Sequence, residues 1–196
     1  MKFLDLKLPL DLQSLAKLFR DVCLLKKGPQ DIPYSVFLLI LLCFLDFGQT
    51  LLFDMGLNKV QKALDTLTLI NSFKAILRLA SSGLFVFIVL QIKQLSSRWI
   101  QTFTTMVGCN VLINIVAFPL IVLLFTIMPT EEAAAPSSML SSLIFIFTII
   151  SVIAAGVWSI LVNAHIFKHA LNIKFFMGVL MTFACSGFTI LIVNFF

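Results

Sequence analysis

Asp46 is a solitary carboxylate inside an otherwise apolar run, Ser35 to Phe53 (SVFLLILLCFLDFGQTLLF). An ionised side chain at the centre of a bilayer costs about 2.5–3.5 kcal/mol on insertion scales, so a residue of this kind marks pairing or function. A second apolar run, from about Asn71 to Ile92, carries Lys74 and Arg78 near its beginning. Asp46 lies seven residues from the end of the first run, and Arg78 lies seven residues into the second. At the helical rise each is then about 10 Å deep, and adjacent antiparallel helices would bring them together. The spacing predicts a buried Asp46–Arg78 ion pair, with Lys74 as the alternative partner nearer the surface. Such a pair either locks helices, since removing one member strands the other charge, or belongs to a proton or ion pathway.

Other polar and small residues fall at helical spacing. Asp46, Gln49 and Thr50 share an arc, and Asn110 and Asn114 are four apart. Ser151, Ala155, Ser159 and Asn163 follow in four-residue steps, as do Gly178, Thr182 and Ser186. Small residues let helices approach, and amides or hydroxyls bond across the contact at about 1 kcal/mol each. The sharper alternative is a hydrophilic cavity lined by Gln49, Arg78, Asn110 and Asn163.

No catalytic residues are assigned: G-x-S-x-G, P-loop and H-E-x-x-H patterns are missing, as are acids paired at one pocket. His165 and His169 are the only histidines. With Lys168 they read as a solvated basic turn, because a metal site would need a third ligand. The isolated Cys23, Cys43, Cys109 and Cys185 form no CxxC or Cys/His cluster. Neither a metal nor a cofactor is expected.

The elements that would position these residues follow from composition. The 196 residues are 60% hydrophobic and 12% charged, with 21 Phe, and the mean hydropathy is +1.09. A soluble domain has no way to bury so much apolar surface. The fold expected is all-α: a polytopic membrane bundle of five transmembrane helices behind an interfacial amphipathic helix. The spans fall at about 35–53, 71–92, 100–128, 139–166 and 175–196, and residues 1–33 form the leading segment. Its first residues, MKFLDLKLPLDL, lack the apolar core and cleavage site of a signal peptide.

From Asp11, a capping residue, to about Leu25, one arc holds Leu12, Leu15, Ala16, Phe19, Val22 and Cys23. Gln13, Ser14, Lys17, Arg20 and Asp21 lie opposite. Such a helix is expected in the interface plane, apolar face in lipid, with Lys17, Arg20, Lys26 and Lys27 binding anionic headgroups. The alternative is that it packs on the end of the bundle. Gly28 suits the position just past its end and Pro29 stops it. Asp54 to Ile70 reads as a second surface helix or an extension of the second span. Pro119 should kink the third span, and PTEEAAAPSS (Pro129–Ser138) is a loop.

Basic residues orient the bundle. Lys2, Lys7, Lys17, Arg20, Lys26, Lys27, Lys93, Arg98, Lys168 and Lys174 fall on the side of the leading helix, against Lys59, Lys62, Lys74 and Arg78 on the other. Ten against four places the N-terminus in the cytoplasm and the C-terminus outside. The net charge of +5 is accounted for by these segment ends, and nucleic acid is not an expected partner.

The amphipathic lead helix, the joint CLLKKGPQDIPYS (Cys23–Ser35) and the close-set spans resemble small bacterial members of the Ypt/Rab-interacting protein (Yip) family. The resemblance implies a five-helix bundle in the inner membrane and a membrane-organising or adaptor role without catalysis. Eukaryotic members act in vesicle traffic with small GTPases and carry a long polar N-terminal region. Only about thirty residues precede the first span here, so a small GTPase is not expected. The partners implied are membrane lipids and a protein partner or second copy within the membrane. The competing reading is a small channel or transporter with a polar route around Asp46 and Arg78.

Overall fold

Apolar length decides the architecture. The computed structural model describes residues 12–61, 67–127 and 139–195, and the side-chain surroundings of 13–52, 70–124 and 142–195. The Asp11 cap, the side chains of residues 53–69, the loop with Glu131 and Glu132, and Phe196 lie outside the described side chains. Helices α1 (Leu12–Cys23), α2 (Val36–Gln61), α3 (Leu67–Ile92), α4 (Trp99–Ile127), α5 (Met139–Leu171) and α6 (Phe175–Phe195) follow in order. Among the described residues there is no strand.

Four stretches are long and apolar enough to cross a membrane: Ile70–Ile92, Ser96–Leu124, Ser142–Leu171 and Phe175–Phe195. The apolar part of α2, Val36–Leu52, is shorter. Large apolar side chains face outward along them, including Phe44, Phe147, Ile150, Phe176 and Leu191. That is costly in water and costless against lipid chains, which are as apolar as leucine. The protein is a membrane-embedded helical bundle. No proline interrupts residues 54–61, so α2 runs on to Gln61 where a separate surface helix was one expectation. Helix α4 likewise continues through Pro119.

The core gathers at the end of the bundle where α1 sits. Thr102 to Cys109 of α4 are all buried, and α4 touches α1, α2, α3 and α5. The Phe19 ring lies where a side chain on Gly108 would be, so α1 presses directly on the α4 backbone. Phe19 and Val22 are buried, while Lys17 and Arg20 on the opposite face are exposed. The expectation that the apolar face rests in lipid is thereby corrected, and the alternative packing holds: the bundle offers a fitted groove. Ala16, placed on the apolar arc by periodicity, is exposed.

The same end has a repeated stop signal. Helix α1 closes with Leu25 N–H bonded to Val22 O at 2.9 Å and Lys26 N–H to Asp21 O at 2.9 Å. This is a Schellman turn with Leu25 at φ 60°. Gln94 after α3 (φ 57°) repeats it, and Asn172 after α5 (φ 52°) supplies the matching bond from Ile173 N–H to Lys168 O at 3.1 Å. Gly28 is therefore not the residue just past α1. It caps a short 3-10 turn, Pro29–Asp31, with its N–H bonded to Asp31 Oδ2 at 3.0 Å.

Helices α5 and α6 approach most closely at Gly178, where an added Cβ would strike the carbonyl oxygen of Ala164. A backbone atom cannot swing aside. Gly178→Ala should therefore cost about 1–3 kcal/mol of overpacking despite the better helix propensity of alanine. Gly156→Ala, where a Cβ meets nothing within 4 Å, should be neutral or stabilising. Thermal unfolding of the two variants in one detergent measures the contrast, and equal melting temperatures would contradict the close approach.

Candidate functional site

Polar groups inside the bundle separate into a closed set and an open one. In the closed set, Asn163 on α5 donates from Nδ2 to Ser159 O at 3.0 Å and to Asn110 Oδ1 on α4 at 3.4 Å. Thr102, Thr105, Thr148 and Thr182 return their hydroxyls to carbonyls four residues back. These bonds satisfy buried donors without opening a route, which is what a non-aqueous interior demands. The Asn163 Oδ1 and Thr104 Oγ1 atoms are buried without a partner.

The open set lies farther from α1, between α2, α3 and α4. A cavity of about 470 Å³ is lined there by Gln49 and Thr50 of α2, Arg78 of α3, and Asn114, Phe118 and Ile121 of α4, with Leu52, Ile115 and Ala117 completing its apolar wall. Gln49 donates to Val111 O at 3.3 Å, which leaves its Oε1 buried and unpartnered. Thr50 donates to Asp46 O at 2.9 Å. Pockets that bind small ligands share this make-up, mainly apolar with a few convergent polar groups.

The structure redistributes the predicted site residues. Gln49 and Arg78 do meet at a cavity, joined by Asn114; Asn110 and Asn163 do not line it and bond to each other. The direct Asp46–Arg78 ion pair is corrected. Among the described residues the ion pairs are Arg20–Asp21 at 3.2 Å and Lys27–Asp21 at 3.9 Å, both beside α1. Arg78 acts on the half-buried Asp46 electrostatically, but it points into the cavity and is exposed there. Lys74 is half-buried, one turn before Arg78. The long guanidinium reaches past the neighbouring helix into open space, which a depth argument along two helix axes does not resolve.

At the α1 end, the solvated basic turn expected at the histidines is also corrected. Helix α5 continues through Leu171, and Phe167 is 1% exposed. His165 is buried and its Nε2 lies 3.1 Å from Lys27 O, tying α5 to the segment after α1. The His169 ring stacks edge-on at 4.5 Å. Gln101 makes a matching tie, Nε2 to Ile32 O at 3.1 Å. Neither tie has a signal in the periodicity of its own helix, because the partner is the backbone of a distant joint. Among the described residues no three His, Cys, Asp or Glu side chains group to hold a metal. Around the joint, Lys17, Arg20 and Lys26 are exposed and Lys27 is half-buried, so all four present cations at the rim of this end.

No protein-family model matches the chain, and neither a curated protein nor a solved structure is significantly similar to it.

An Arg78 that stands clear of Asp46 has a measurable consequence. Asp46→Asn should change the free energy of unfolding by less than about 1 kcal/mol, whereas breaking a closed buried pair costs about 3–5 kcal/mol. Denaturant titration in detergent micelles gives the number, and a loss in the upper range would show that the two charges are closed on each other.

Proposed function

We propose that this is a non-catalytic integral membrane protein of Yip-like type that organises its membrane or serves as an adaptor. Five helices cross the bilayer in this reading, α2 to α6, with α2 spanning through Val36–Leu52 and the residues beyond it. The α1 end faces the cytoplasm of a bacterial inner membrane, and the C-terminus lies outside.

One observation carries the proposal. The α1 end is filled by Phe19, Val22, Leu90, Val107, Ile166 and Phe167, each no more than 4% exposed. A permanent pore would have to pass through this plug. What remains at that end is a rigid cap edged by exposed Lys17, Arg20, Lys26, Lys93, Arg98 and Lys174. Lys27, half-buried, joins them. A cationic rim on the cytoplasmic side attracts anionic headgroups, each basic residue near the surface contributing about 1 kcal/mol, and can steer an acidic partner to the same place.

The cavity at Arg78 favours a second reading, a transporter whose substrate enters from the far side while the plug is closed. Photo-crosslinkers installed at Lys17 and at Lys26 in native membranes separate the two. The adaptor reading expects one discrete protein or lipid adduct, lost when the rim is neutralised by R20Q combined with K93Q and R98Q, and no solute flux in reconstituted vesicles. Flux that is abolished by R78Q, with no adduct at either position, would favour transport.

A further inference from the structure

Arg78 carries a charge in the far half of the bundle that no ion pair among the described residues answers. It sits eight residues inside the Ile70–Ile92 stretch, it makes no ion pair within 4.0 Å among the described residues, and it projects into the cavity between α2, α3 and α4. Lys74, one turn away, carries the same sign. Asp46 offsets one positive charge through space, so among the side chains described around the cavity two cations face one carboxylate. Unpaired cations in hydrocarbon are rare and mark ligand sites by default.

The walls state what kind of anion fits. Beside Arg78 the cavity is lined by Gln49 and Asn114, whose amides can donate, and by Thr50, whose hydroxyl is already given to Asp46 O. Ile115, Phe118 and Ile121 of α4, with Leu52 of α2, supply its apolar lining. Leu52, Ile115 and Phe118 are also exposed on the outer surface of the bundle, 62%, 56% and 38% respectively, so the cavity opens sideways toward the acyl chains of the bilayer. A ligand entering by that path comes from the membrane. It needs an oxyanion for the guanidinium, which prefers the planar two-point geometry of phosphate or carboxylate, and a hydrocarbon tail for the apolar wall.

We propose that this cavity binds a membrane amphiphile bearing a single anionic group, a phosphate or carboxylate on an acyl chain, with Arg78 holding the anion and Gln49 and Asn114 orienting it. The site depends on α2–α4 lying in a bilayer and is independent of the adaptor reading, which concerns the opposite end.

Native mass spectrometry of the full-length protein in detergent, titrated with four probes, tests this. The probes are phosphatidylglycerol, phosphatidylcholine with the same chains, oleate, and inorganic phosphate. At least one anionic amphiphile should be retained about ten-fold or more over phosphatidylcholine, the ratio one charge-assisted hydrogen bond supplies. Phosphatidylglycerol or oleate, whichever leads, identifies the source of the oxyanion. R78Q should reduce that ratio to about two-fold or less, and R78K, which keeps the charge but loses the two-point geometry, should fall between R78Q and the unmodified protein. A photoreactive acyl chain on the leading probe should label the α4 peptide containing Ile115–Ile121 in the unmodified protein, a readout that needs no variant to fold. K17Q combined with R20Q and K26Q removes the headgroup contribution of the other end, and in that background R78Q should still lower the remaining ratio. Equal retention of anionic and zwitterionic lipid, inorganic phosphate binding as tightly as the amphiphiles, or label confined to the α1 end would each overturn the proposal.

Discussion

The contact of the Phe19 ring with Gly108 is the constraint on which the rest of this bundle turns. Between transmembrane helices there is no hydrophobic force to speak of, because lipid chains are as apolar as the side chains they would replace. Shape and polar pairing decide which faces meet. At Gly108 the α4 backbone is bare, and the Phe19 ring delivered from α1 fills the notch. With Phe19 seated, Val22 and Cys23 pack beside it into the core, the Cys23 thiol next to that of Cys109. The next residues are fixed in turn: Lys27 O by His165 and Ile32 O by Gln101. A leading helix that could have floated on the surface becomes the stopper of the bundle.

The two ends of the molecule consequently do different things. Near α1 the buried polar groups are mostly paired, the helices terminate in Schellman turns, and aromatic and β-branched side chains fill the interior. Toward the other side α2, α3 and α4 part around a cavity lined by the guanidinium of Arg78 and the amide of Asn114, and the Gln49 Oε1 buried beside it has no partner. Unsatisfied groups of this kind lower stability unless something occupies the space. One small bundle thus holds a closed platform at one end and an open pocket at the other.

Much of the fold was legible in the chain. Apolar runs of bilayer length, interrupted by short polar turns, identify the long helices directly, and the Gly28–Pro33 joint marks the break between α1 and α2. The arc of Leu15, Phe19 and Val22 was equally plain, but periodicity reports that a face is apolar and not what covers it; lipid and a glycine notch on α4 look alike from α1. The candidate site was legible in its ingredients. Gln49, Arg78 and Asn114 stood out as polar residues in apolar surroundings. Their grouping was not, because Asn110 and Asn114 share one face of α4 and differ by about 6 Å along its axis, so the axial position of α4 against α3 decides which of them reaches Arg78, and the sequence of one helix carries no record of it. His165 was misplaced for a related reason: a histidine near basic residues resembles a surface turn unless the carbonyl it serves, 138 positions away in sequence, is known.

The seating of α1 can be measured through its own thiols. In a C43S/C185S variant held in native membranes, Cys23 and Cys109 are the only cysteines left, and they lie side by side across the α1–α4 contact. Mild copper–phenanthroline oxidation followed by peptide mapping should find them joined in one intramolecular disulfide, with the yield falling sharply when Phe19 is replaced by alanine. Ready alkylation of Cys23 by a bulky water-soluble maleimide, with no disulfide to Cys109 under the same oxidation, would mean that α1 lies away from the bundle and that the plugged end does not exist.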